Sequence, residues 1–81
     1  MQGGLRVLSG KDVVRILIGF GFVSVAAAKH FKVRRTTSSG DETLIIPNHN
    51  PIAKGTLRAI FSQASRYIPR VDLRPCFYNE S

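Results

Sequence analysis

The chain has a single cysteine, Cys76, in 81 residues. A lone thiol builds no internal disulfide framework and no four-thiolate metal site, and it suits a reducing compartment. Its place near a chain end, between Pro75 and Phe77, reads as structural rather than nucleophilic. Acidic residues are scarce: five Asp and Glu stand against twelve Lys and Arg, a net charge of +7. Long hydrophobic runs are lacking too. The longest apolar stretch, Ile16 to Ala28, is interrupted by two glycines and a serine, and it falls short of the roughly 20 residues that cross a bilayer. The opening residues, MQGGLRVLSGKD, meet charges at once and offer no apolar h-region. No signal peptide and no membrane association are therefore expected, which points to a cytoplasmic protein.

What is present is the composition of a folded domain. Hydrophobic residues make up 43% of the chain, too many for a disordered segment. Residues 1–81 are expected to form one domain, since a chain this short buries only roughly 60% of its unfolded surface. The charge is unevenly spread. Residues 1–40 carry seven cations and one anion, and residues 41–81 carry five cations and four anions. A concentrated positive field favours a polyanion, nucleic acid being the commonest. The alternative is a surface kept soluble by excess Lys and Arg.

Local signals give the order of elements. Residues 1–8 read as a frayed or extended lead-in. Ser9 is a good N-cap, with the Asp12 carboxylate placed to complete a capping arrangement. Val13, Ile16, Leu17 and Phe20 recur at i, i+3, i+4 and i+7, one apolar stripe of a helix. Gly19 and Gly21 end it, Gly21 as a left-handed C-cap. Residues 22–26 read as a short strand, residues 27–29 as a loop, and His30 to about Arg35 as a second strand. TTSSGD is a turn by composition, and Thr43 to Ile46 is a third strand stopped by Pro47. After the polar turn PNHNP, Lys54-Gly55-Thr56 opens a helix with the stripe Leu57, Ile60, Phe61, Ala64 and Ile68, halted by Pro69. The core spans about residues 9–68. The tail, 69–81, is expected to add one turn that tucks Leu73 and Phe77 onto it. Connections this short imply a three-stranded antiparallel meander. The expected fold is α+β, ordered α-β-β-β-α, with both helices on one sheet face and the other face open to solvent.

That open face is where chemistry is expected. Alternation along the second strand sends Phe31 and Val33 under the helices and His30, Lys32 and Arg34 outward. An imidazole, an ammonium and a guanidinium in a row can hold a phosphodiester backbone; a solvated face without a ligand is the bland alternative. Histidine is the side-chain type that changes charge nearest neutral pH, and the chain has two, His30 and His49. Metal-free RNA cleavage needs a base for a 2′-hydroxyl proton, an acid for the leaving oxygen, and cations for the phosphorane charge. His30 fits either of the first two roles, and Lys29, Lys32 or Arg34 the third. His49, in a turn between two prolines, reads first as a loop histidine. No Cys, Asp or Glu joins the histidines at ligand spacing, so no metal and no cofactor is expected. Gly55 and Thr56 would expose N–H groups at a helix start, an anion site beside Lys54 and Arg58; Thr56 as an ordinary cap is an equal account. Tyr67 and Tyr78 lie off the basic strand and read as structural.

The segment "GFGF" at the end of the first helix, the histidine opening a basic strand, "TLIIPNH" and "KGTLRAIFSQAS" together resemble HicA-type toxins, also called the YcfA-like family. The resemblance covers roughly residues 9–68. It implies a double-stranded-RNA-binding-like fold and an endoribonuclease that cleaves mRNA without a metal. It also implies a stress-response toxin neutralised by a HicB-type antitoxin encoded beside it. The family's catalytic histidine opens the second strand, typically within Gly-Ser-His, a position taken here by His30. The RNA-contacting residues expected are Lys29, Lys32, Arg34, Arg35, His49, Lys54 and Arg58. This chain has Ala26, Ala27, Ala28 and Lys29 where the family shows polar and basic residues and then Gly-Ser. Alanine lacks the backbone freedom of glycine, so turnover rather than binding is the property at stake. Two readings stand: an mRNA-cleaving toxin, and a non-catalytic RNA-binding or antitoxin-binding module of the same fold. A DNA reader fits less well, because no helix concentrates the basic residues.

Overall fold

The capping signal at Ser9 organises the first helix. A computed structural model describes residues 4–79. In it the Ser9 N–H donates to the Asp12 carboxylate at 2.9 Å, and the Asp12 N–H donates to the Ser9 hydroxyl at 3.1 Å. This reciprocal box opens α1 (Gly10–Gly19). The hydrogen bonds from the Ser9 backbone and side chain, and to a smaller extent the Arg15 charge, hold the Asp12 carboxyl below its ordinary value of 3.8. At the other end Gly21 takes φ +97°. Its N–H reaches the Ile18 carbonyl at 3.0 Å, and the Phe22 N–H reaches the Leu17 carbonyl at 3.1 Å. That is a Schellman closure, and it drops Phe22 into the core at 1% exposure.

β1 (Val23–Ala27), β2 (His30–Thr37) and β3 (Gly40–Pro47) form an antiparallel meander in the order β1-β2-β3. Phe31 pairs with Ile46 and Val33 with Leu44; all four are buried beneath the helices. α2 (Lys54–Ala64) adds Leu57, Ile60, Phe61 and Ala64 to the same core. The fold is α+β, in the expected order α-β-β-β-α through α2 and with one more helix after it, the helices backing one face of the sheet and the other left open.

Several details differ from the sequence reading, among them that α2 ends at Ala64, with residues 65–68 forming a turn, rather than running through Ile68 to Pro69. α1 buries Gly10, Val13, Val14 and Leu17, while Ile16 and Phe20 lie half-buried at the margin. The helix start sets this rotation. The Gly10 N–H donates to the His49 carbonyl at 2.8 Å, and a Cβ at Gly10 would collide with the Pro47 carbonyl. β1 begins after Phe22, because the cap of α1 consumes that residue. The TTSSGD segment is mostly strand, with only Ser38 and Ser39 in the turn itself; Gly40 supports it at φ +124°. The tail forms a full helix, α3 (Arg70–Phe77), rather than one turn, and it seats Leu73 and Phe77 in the core at 0% exposure.

The lead-in is tied to this tail. Leu5 bridges Tyr78, the Arg6 N–H donates to the Phe77 carbonyl, and the Asn79 N–H donates to the Gly4 carbonyl, both at 2.8 Å. Residues 1–3 of the lead-in and 80–81 of the tail lie outside the described residues. Among the described residues no helix is long and apolar enough to cross a membrane.

Candidate nucleic-acid interface

Register fixes what stands on the open face. His30 lies opposite Pro47. Lys32 is flanked by Ala26 and Ile45, and Arg34 by Val23 and Thr43. Residues directly opposite in an antiparallel pair share a face, so these side chains form one surface. Alternate residues along a strand are about 6.6 Å apart, which sets His30 and Arg34 about 13 Å from each other with Lys32 between. His30 is exposed, and Lys32 and Arg34 are half-buried. The ion pairs among the described residues join Arg15 to Asp12 and Arg35 to Glu42. Among the described residues Lys29, Lys32 and Arg34 thus stand without acidic partners. The row ends at Thr36, whose hydroxyl donates to the Asp41 carboxylate at 2.9 Å, an anion at the far end of the hairpin.

The turn that delivers His30 is held from across the sheet. The Ala28 N–H donates to the His30 carbonyl at 3.1 Å. Asn48, just past β3, donates twice: its backbone N–H to the Lys29 carbonyl at 3.0 Å, and its side-chain amide to the Ala28 carbonyl at 3.0 Å. No non-glycine among the described residues has positive φ, so Ala27, Ala28 and Lys29 make this turn with ordinary backbone angles. Ala26 lies in β1 as expected, and Ala27, read as the start of the loop, belongs to β1 as well.

Arg35 does not fit the RNA-contact role expected of it. It follows Phe31 and Val33 on the helix side. Its guanidinium donates to the Phe20 carbonyl and the Tyr67 carbonyl, each at 2.8 Å, and to Glu42 at 2.7 Å. It also lies 4.9 Å above the Phe22 ring. Arg35 is therefore a clamp joining β2 and β3 to the end of α1 and to the turn after α2.

The remaining expected contacts are dispersed. His49 is exposed in the β3–α2 loop, one residue beyond the clasp made by Asn48. Lys54 and Arg58 are exposed on α2, off the strand row. Thr56 is not the cap of that helix: Ala53 occupies the N-cap, without a side-chain bond. Tyr67 and Tyr78 pack against the core. Among the described residues no group of three or more His, Cys, Asp or Glu gathers in one place. The sequence reading missed Asn48, whose only signal was an amide in a polar turn. It also missed Val23 and Ile45 on the open face, although alternation within "TLII" sends Ile45 away from Leu44 and Ile46.

Fold and face define a class, a small α+β domain presenting one open, cationic sheet surface with an exposed histidine at its edge. The family model of the HicA toxin of bacterial toxin–antitoxin systems matches residues 10–65, and the chain belongs to that family. No curated protein and no solved structure matches it. Membership makes the chain the toxin of a toxin–antitoxin pair, in a family of ribonuclease-type toxins that act with an antitoxin partner.

Proposed function

We propose that this protein cleaves mRNA without a metal cofactor, through His30, and that a HicB-type antitoxin neutralises it by covering the same face. The observation that carries the reading is the exposed His30 at the head of a row of cations, Lys32 and Arg34, that have no acidic partner among the described residues, with Lys29 beside it. A phosphate held by those cations lies within reach of the imidazole. In the base role His30 takes the proton from a 2′-hydroxyl. That oxygen then attacks the adjacent phosphorus, the bond to the 5′-oxygen breaks, and solvent water gives the departing oxygen its proton. In the acid role His30 supplies that proton instead, and solvent water takes the one from the 2′-hydroxyl. Lys29, Lys32 and Arg34 stabilise the extra negative charge of the phosphorane. Lys54 and Arg58 form a secondary patch for RNA that leaves the sheet, and His49 stands at the edge. Such a toxin acts in the cytoplasm, where mRNA is.

The test is RNA cleavage in EDTA by wild type, His30→Ala and His49→Ala, with thermal melts of all three. Loss of a general acid or base lowers the rate by about 10²–10⁴, whereas loss of one exposed ring changes stability by less than about 0.5 kcal/mol. His30→Ala should therefore melt like wild type and not cleave. Equal cleavage by wild type and His30→Ala removes His30 from the reaction. No cleavage by any of the three, with RNA binding intact, makes the protein a non-catalytic module and attributes the loss to the alanine segment before His30.

A further inference from the structure

The open face carries more than cations. Val23 is 59% exposed and Ile45 49% exposed, and register places them directly beside Arg34 and Lys32. Two large aliphatic side chains thus stand in water within the row assigned to phosphate. RNA gives them little to do. Phosphates are held by charge and hydrogen bonds, and unstacked bases are held by aromatic faces. Among the described residues no aromatic ring lies on this face: Phe22, Phe31, Phe61 and Phe77 are buried, and Phe20, Tyr67 and Tyr78 pack against the core from the helix side. Aliphatic groups flanked by unpaired cations match a different occupant, a protein segment that alternates apolar and acidic side chains. The apolar groups of such a segment would cover Val23 and Ile45, and its carboxylates would meet Lys32 and Arg34. A protein interface of this kind has an apolar centre and a polar rim. The toxin–antitoxin family to which the chain belongs supplies the occupant class.

We infer that the antitoxin is held on this face chiefly by Val23 and Ile45, whereas RNA is held by Lys32 and Arg34. Neutralisation and RNA binding then share a surface but not the residues that carry the affinity. The inference rests on the proposed RNA face, and it makes the two ligands respond differently to salt. Exposed charge contacts are screened within about 3 Å at 1 M ionic strength, and the affinity for single-stranded RNA falls with a slope of about −0.7 per phosphate neutralised. Apolar contacts are not screened.

The experiment uses the full chain, a purified HicB-type antitoxin as the probe, and a single-stranded RNA oligonucleotide, with His30→Ala as background to prevent turnover. Val23→Thr/Ile45→Thr keeps β-branched residues on both strands, so its melting temperature should match the parent. Its antitoxin affinity should fall about tenfold or more, while its RNA affinity stays within about twofold. In the parent, about 1 M NaCl should release RNA and leave the antitoxin complex intact. Antitoxin affinity within twofold of the parent overturns the inference. So does release of antitoxin over the same salt range as RNA, a measurement that holds even if the double variant fails to fold. Absence of RNA binding by the parent counts against the proposed function alone, because the antitoxin measurements decide the inference without it.

Discussion

Arg34 and Arg35 are neighbours with opposite work, and replacing each by alanine separates the two roles. Arg35 makes charge-assisted hydrogen bonds to the Phe20 and Tyr67 carbonyls and pairs with Glu42, and its side chain is 25% exposed. A hydrogen bond to a charged group contributes about 1.5–3 kcal/mol, and removing one member of a well-buried pair costs about 3–5 kcal/mol. Partial solvent access and non-additivity reduce the total, so Arg35→Ala should cost about 2–4 kcal/mol. In a domain this small that corresponds to a fall in Tm of about 10–25 °C. Arg34 has no partner among the described residues, and Arg34→Ala should change stability by less than about 0.5 kcal/mol while weakening RNA binding. Glu42→Gln should fall between the two, because the carbonyl contacts of Arg35 survive it. Arg35→Lys should recover only a minority of the loss, since one ammonium cannot reproduce a planar fork aimed at three acceptors. Urea titrations and thermal melts followed by far-UV circular dichroism measure all four. A loss below about 0.5 kcal/mol for Arg35→Ala, or a loss for Arg34→Ala equal to that of Arg35→Ala, would refute the clamp.

Three further outcomes are expected. Gly10→Ala should destabilise by about 1–3 kcal/mol despite alanine's better helix propensity, because its methyl would collide with the Pro47 carbonyl; a rise in Tm would show that the helix start can shift. Asp12 titrates in the folded protein below its ordinary 3.8. Its contribution is therefore complete above that value and is lost as pH falls through the lowered one. The Tm gap between wild type and Asp12→Ala should be constant near neutrality and shrink below pH about 3.8; a gap that widens on acidification contradicts the capping box. Asn48→Ala removes the side-chain bond to the Ala28 carbonyl and should cost about 0.5–1.5 kcal/mol. By loosening the position of His30 it should also lower cleavage by about 10–100-fold, with RNA affinity retained; unchanged cleavage would mean that the backbone bond alone holds the turn.

The elements from α1 through α2 and their order are legible in the chain, because their signals are local. Ser9 and Asp12 lie three residues apart and satisfy one another across a single turn. Gly21 can take the left-handed backbone that closes α1. Alternation of Phe31 and Val33 with His30, Lys32 and Arg34 needs only the pleat of a strand, and it already separates the core face from the open one. The tertiary structure decided whatever depends on groups distant in the chain. Arg35 continues the inward alternation, but its role depends on carbonyls at Phe20 and Tyr67, which no local pattern brings near. The rotation of α1 toward Val14 follows from the close approach of Gly10 to Pro47. The length of α3 reflects the seating of Leu73 and Phe77 in a core that only the assembled sheet and helices provide. The turn before His30 departs from Gly-Ser in sequence, but it is held by Asn48 from the end of another strand. A residue's backbone preference is written in its own neighbourhood; its partner is chosen by the fold.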